Sequence, residues 1–247
     1  LTARQQVSVT PLRRVATGLV IGLIGIAMIE VAVQLEAGII FDTRSVLLAV
    51  SGLFLGFWPT VIAMVMTATF RLYQGGEAAW AGVVVILASG AIGIVWRRLT
   101  RRPLEEVSWR YLYALGIVVH LVMLALMFML PWETALRVVR AVGVPVMLVH
   151  PLATLALGLM FAQRLRYHSA AAELSKSETR LRLALSAAKQ GLYDLNVQTG
   201  EATVSEEYAR MLGYDPAGFR ETIDAWMERM HPDDRERVLS TQLAGHA

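Results

Sequence analysis

SVLLAVSGLFLGFWPTVIAMVMTATF, from Ser45 to Phe70, decides how this chain is built. The stretch is mostly apolar and exceeds the roughly 20 residues that one membrane-spanning helix needs. It falls short of the roughly 40 that two would need. Gly56-Phe57-Trp58-Pro59 sits at its centre. Proline lacks the N–H that would continue a helix and glycine weakens one, so the stretch is expected to break there into a hairpin. To cross twice, the pair must borrow its flanks, from Gly38 to Gln74.

Working outward, further apolar stretches run from about Val15 to Val33, Ala78 to Trp96, Tyr111 to Leu130 and Leu136 to Phe161. Arg13 and Arg14 precede the first, Arg97, Arg98, Arg101 and Arg102 follow the third of the five stretches, and Arg164 and Arg166 follow the last. Basic clusters flank the cytoplasmic ends of membrane helices. Five crossings leave at least one cluster outside. Six, with the 45–70 stretch counted as a hairpin, place every cluster and both termini inside. The sequence therefore predicts an all-α membrane bundle of about six crossings in a bacterial inner membrane.

Composition agrees: 55% of the 247 residues are hydrophobic and 17% charged, and mean hydropathy is +0.50, against about half apolar and a quarter charged in soluble domains. Residues 1–167 hold fourteen Arg, no Lys and seven acids, whereas 168–247 hold nine basic residues and thirteen acids. Two regions with different solvents are joined. The pI of 9.4 then reflects membrane topology, and no nucleic-acid partner is expected. With no cysteine, disulfides and thiolate chemistry are excluded. A chain that opens on Leu1 and closes on Ala247 reads as a piece of something longer.

The hairpin brings Asp42, Arg44 and Arg71 to or below the outer surface. An ionisable residue at membrane depth is costly unless paired or wet, and so is a functional candidate. Asp42 pairing with either arginine is the structural alternative, and arginine can also snorkel to the headgroups. Gly18-x-x-x-Gly22 and Gly52-x-x-x-Gly56 suit close helix packing. Glu30 is a candidate partner for Arg137 and Arg140, three apart on one helical face. His120 and His150 have no second ligand at metal spacing and read as core histidines, while Pro145 and Pro151 read as kinks.

In order, Phe41-Asp42-Thr43-Arg44-Ser45, Ser51-Gly52-Leu53-Phe54-Leu55-Gly56 and Phe70-Arg71-Leu72-Tyr73-Gln74-Gly75-Gly76 resemble the LytS-type five-transmembrane receptor domain. Asp42 stands where that family often has Asn. The resemblance covers about Val15 to Arg166 and implies sensing of a small extracellular or periplasmic compound, in proteins that end in histidine kinase or diguanylate cyclase domains. It points to Arg44, Arg71, Asp42, Tyr73, Gly75 and Gly76 as ligand-binding residues. The glycine hairpin is also similar to the binding subunits of vitamin uptake transporters.

Beyond Phe161 a continuous helix is expected, with apolar residues seven apart at Leu174, Leu181 and Ala188, as in a short coiled coil or a helix packed on its own next domain. Gly191 to Asn196 and Glu201 to Ser205 alternate around Thr199-Gly200, as a β-hairpin does. Helices should follow at Glu206 to Leu212, Glu221 to Met230 and from Pro232. The spacing of Gly191-Leu192-Tyr193-Asp194, Gly213-Tyr214-Asp215-Pro216 and His231-Pro232-Asp233-Asp234 resembles the PAS fold-3 family, and the chain stops before that family's last three strands. Trp226 and His231 read as a core aromatic and a helix-start residue. The expected domains are 1–166 in the membrane, 167–188 as linker and 189–247 as the first part of an α+β PAS domain.

The function this supports is a membrane-embedded input module of a two-component or diguanylate cyclase receptor. Arg44 and Arg71 would clamp a small carboxylate, and a homodimer would form through the linker. No catalytic, metal or cofactor site is expected, since the chain lacks a phosphate loop and metal spacings. The alternatives are an uptake-transporter subunit and a ligand-free dimerising anchor.

Overall fold

The computed structural model of the chain describes residues 10–31, 33–36, 39–41, 43–76, 78–100, 102–196, 199 and 201–244. Two units result, Leu1–Ser169 and Ala170–Ala247. The first contains α1 (Pro11–Glu30), a ladder of β1 (Val33–Glu36) and β2 (Ile39–Phe41), α2 (Arg44–Phe54), α3 (Phe57–Gln74), α4 (Ala79–Leu99), α5 (Trp109–Leu126) and the start of α6 (Trp132–Ala187). A 3-10 turn extends α5 through Met129. Among the described residues, four helices are long and apolar enough to cross a membrane: α1, α4, α5 with its extension, and α6.

Close approaches fix the helix directions. Gly18 of α1 lies against Pro59 and Ile62 of α3, and Gly25 against Thr67, so α1 and α3 run the same way. Gly82 meets Arg71 and Gly90 meets Met64 and Thr60, so α4 runs against α3. Gly52 of α2 lies on the Gly90 to Ile94 backbone, and Arg97 further along α4 reaches Leu53 and Phe54 further along α2, so these two run together. The chain thus reverses between α2 and α3, as the 45–70 stretch implied. The pivot is Gly56, with φ +83°, a left-handed conformation that glycine adopts without steric cost.

These directions gather the basic clusters at one end. Arg13 and Arg14 begin α1, Arg97 and Arg98 end α4, and Arg166 donates through Nε to the Glu105 carbonyl at 2.5 Å. Exposed Trp58 and Trp109 lie at this basic end, and exposed Tyr73, Trp80 and Trp132 at the other. Two belts of this kind mark membrane–water interfaces.

One expectation is corrected. The hairpin was to lengthen into two full crossings by extending its helices back to Gly38, but α2 has only 11 residues, about 16 Å at ~1.5 Å per residue. That is roughly half of a 30 Å hydrocarbon core. The flank before it forms the β1–β2 ladder instead, pairing Val33 with Phe41 and Gln34 with Ile40. Val33, Ile39, Ile40 and Phe41 are β-branched or aromatic and favour an extended pair over helix. Ladder hydrogen bonds also satisfy backbone groups that lipid would leave unpaired. α2 is therefore a half-helix.

Lipid provides no hydrophobic drive between helices, so packing and internal hydrogen bonding must hold the bundle. Thr60, Thr67, Ser89 and Thr154 each return the hydroxyl proton to the carbonyl four residues back, at 2.7 to 2.9 Å. Buried polar side chains are thereby satisfied within their own helices. The C-terminus of α2 is closed by Arg97, whose Nη1 donates to the Leu53 and Phe54 carbonyls at 2.6 and 2.8 Å. A cation suits that end of the helix dipole. Arg97→Leu should cost roughly 1–3 kcal/mol by leaving two carbonyls without donors, seen as a lower melting temperature of the detergent-purified protein, whereas Arg98→Leu should leave it nearly unchanged.

In the second unit α6 ends at Ala187, followed by β3 (Tyr193–Leu195), β4 (Glu201–Val204), α7 (Glu206–Met211), β5 (Glu221–Thr222), α8 (Ile223–Arg229) and α9 (Pro232–Ala244). The strands form one antiparallel sheet in the order β3-β4-β5. The hairpin was expected; the third strand was not, since Glu221 and Thr222 had been assigned to the start of a helix. Thr222 instead caps α8 by accepting from the Ala225 N–H at 3.2 Å, as a β-branched hydroxyl residue at an N-cap does. Glu221, 4% exposed, is ion-paired with Arg229.

Candidate functional site

Two buried guanidinium groups dominate the first unit. Arg44 opens α2 at 5% exposure, and Arg71 lies in the last turn of α3 at 1%. Arg44 is about 18 Å and Arg71 about 22 Å along the chain's helices from the Gly56 pivot, at ~1.5 Å per residue. Both thus lie towards the ends of α2 and α3 that are remote from Gly56 and from the basic end.

Arg71 donates through Nη1 to the Gly75 carbonyl at 2.8 Å. Its side chain lies along α4, where a Cβ on Gly82 would stand 2.9 Å from Nε. Gly82 makes the room the arginine occupies, a role that the sequence reading missed. Gly75 and Gly76 have φ +69° and +92°, so the pair turns the chain from α3 into α4 while Gly75 supplies Arg71 with its acceptor. Tyr73 is 86% exposed on α3. Asp42 lies outside the described residues.

Beside Arg44, Ser45 enters a buried polar chain. Its Oγ lies 3.1 Å from His120 Nε2, and His120 Nδ1 lies 2.6 Å from the Gly116 carbonyl. A carbonyl only accepts, so Nδ1 carries the proton, and in the neutral ring Nε2 accepts from the serine hydroxyl. His150 of α6 meets His120 edge to face, with centroids 4.8 Å apart. The backbones are close here too, since a Cβ on Gly116 would stand 2.7 Å from Pro151 Cα. The sequence marked both histidines as core residues but gave no sign that they meet. Arg137 and Arg140, like Glu30, are exposed, and Arg137 Nη2 reaches Thr134 Oγ1 at 3.5 Å.

In the second unit Tyr193, Leu195, Ala202, Tyr208, Glu221 and Trp226 line a cavity of about 20 Å³, room for about one water. Burial, and then hydrogen bonding to Glu221, raise the Tyr208 pKa above the usual phenol range. The Arg229 guanidinium lies over Tyr214 and Phe219, with 5.8 and 5.6 Å to the ring centroids. His231 is exposed just before α9.

A helical membrane bundle whose last helix continues into a small α+β unit is the architecture of a membrane sensory module. Residues 2–164 match the family model described as 5TMR of 5TMR-LYT, and residues 201–244 match the PAS fold. The chain belongs to the 5TMR-LYT family. No curated protein and no solved structure matches it.

Proposed function

We propose that the membrane unit binds a small anionic compound, a carboxylate by preference, between Arg44 and Arg71, and passes the event through α6 to an output domain. The observation that carries this reading is the burial of two guanidinium groups at membrane depth, where an ionisable side chain is costly and marks a site. Their planar forks match a carboxylate with two parallel hydrogen bonds, and low dielectric strengthens the pairing. Asp42 adjoins this site in sequence, and the Gly75 carbonyl holds Arg71 in place.

Ser45, His120 and His150 give the event a route. Ser45 follows Arg44, His120 bridges to α5, and His150 precedes Pro151 on the helix that runs to Ala187. A ligand shifts such a system only by its different affinity for two packings of that route. Leu174, Leu181 and Leu183 are more than half exposed, which favours a homodimer through the linker helix. The output would be a histidine kinase or diguanylate cyclase of a two-component or cyclic-dinucleotide pathway, and the membrane a bacterial inner membrane.

Thermal-shift titration of the purified chain with acetate, lactate and succinate tests the reading. At least one should stabilise the parent and not Arg44→Ala; stabilisation of neither, or of both equally, contradicts it. An uptake-transporter subunit would instead carry the bound anion into proteoliposomes, and the fusion of α6 to a PAS-type unit favours signalling. For topology, single cysteines at Gly76 and Glu133 should label from outside the cell, and one at Thr100 should not. Outside labelling of Thr100 would remove the inside assignment of the basic end.

A further inference from the structure

At the basic end of the bundle an open cavity of about 670 Å³ lies among the start of α3, the end of α4, the loop after it and α6. Its lining includes Arg97, Arg98 and Arg102 together with the apolar Phe57, Ile94 and Leu165. Glu105 is the one carboxylate in the lining, and positive charge is in excess. Arg97 is engaged on α2, but Arg98 and Arg102 are exposed and make no ion pair among the described residues.

We propose that this cavity holds the phosphate of an anionic phospholipid, with an acyl chain along Phe57, Ile94 and Leu165. Three observations carry the assignment. Guanidinium groups bind phosphate with planar, bidentate geometry. The exposed tryptophans Trp58 and Trp109 lie at the same end and mark headgroup level. The lining combines charged and apolar side chains, which suits the headgroup and acyl chain of a lipid and has no counterpart in a free phosphate. Basic pockets between membrane helices at the cytoplasmic face are suited to such headgroups. Because Leu165 lies on α6 and the other apolar residues on α3 and α4, the lipid would tie the departing helix to the rest of the bundle.

The test uses the whole chain in detergent, titrated with phosphatidylglycerol, phosphatidylcholine, glycerol phosphate and inorganic phosphate, with bound lipid read by native mass spectrometry and stability by melting. Phosphatidylglycerol should be retained over phosphatidylcholine. In an Arg98→Gln, Arg102→Gln double variant its affinity should fall about tenfold or more. An Arg13→Gln, Arg14→Gln variant, at the same end but outside the cavity, should keep it. Melting in phosphatidylcholine checks that both variants fold, and the exposed positions chosen make that the expected result. Equal losses in the two variants, no preference for the anionic lipid, or displacement by glycerol phosphate or inorganic phosphate as readily as by lipid each overturn the proposal, the last in favour of a soluble anion.

Discussion

Gly93→Leu is expected to abolish the folded bundle. A Cβ on Gly93 would stand 2.1 Å from the Ala49 carbonyl oxygen, and one on Gly52 would stand 2.6 Å from the Ile94 nitrogen. Both obstacles are backbone, which cannot turn aside as a side chain can. Inserting even a few atoms into a packed core costs about 1–3 kcal/mol, and here α2 and α4 must separate along their contact. Separation would also pull Arg97 from the Leu53 and Phe54 carbonyls it closes. Fluorescence-detected size exclusion should show aggregate or no monodisperse peak for Gly93→Leu. Gly143→Leu is the control, because a Cβ there meets only Val139 at 3.7 Å, and it should behave as the parent.

Arg71→Lys should fold and lose most of its ligand affinity. Lysine retains the charge and removes the planar fork, so the hydrogen bond to Gly75 and a bidentate grip on a carboxylate cannot both persist. Charge-assisted hydrogen bonds contribute about 1.5–3 kcal/mol, which corresponds to roughly tenfold to more than a hundredfold in Kd. Calorimetry with the stabilising carboxylate reads this directly. Asp42→Asn, which removes a negative charge two residues before Arg44 in the sequence, should leave affinity intact or raise it.

The relative directions of α1 to α4 were legible in the sequence, because arginines at three places and one Gly-x-x-Pro break admit a single consistent threading. Helix length was not. Hydropathy reports whether residues tolerate lipid, and Ile39-Ile40-Phe41 tolerates it equally as ladder or as helix, so α2 was taken to begin too early. Arg97 shows the same limit in another form: its place in a basic cluster is visible, but the α2 carbonyls it closes are more than 40 residues away in the chain. The meeting of His120 with His150 and the room that Gly82 leaves for Arg71 depend on which helix faces which. Periodicity within one helix carries no such information. In the second unit, Thr222 was read as helix, when the hydroxyl at a cap position was the stronger local signal.

The proposed anion binding between Arg44 and Arg71 would change the state of α6 and its linker. Disulfide cross-linking of a single cysteine at Leu174 in this cysteine-free chain, in membranes with and without the stabilising carboxylate, tests it most directly. The yield should change on adding the carboxylate in the otherwise native background, and should stay constant when Arg71→Lys is also present. A carboxylate that binds the Leu174→Cys protein by calorimetry yet leaves its cross-linking unaltered would contradict the account.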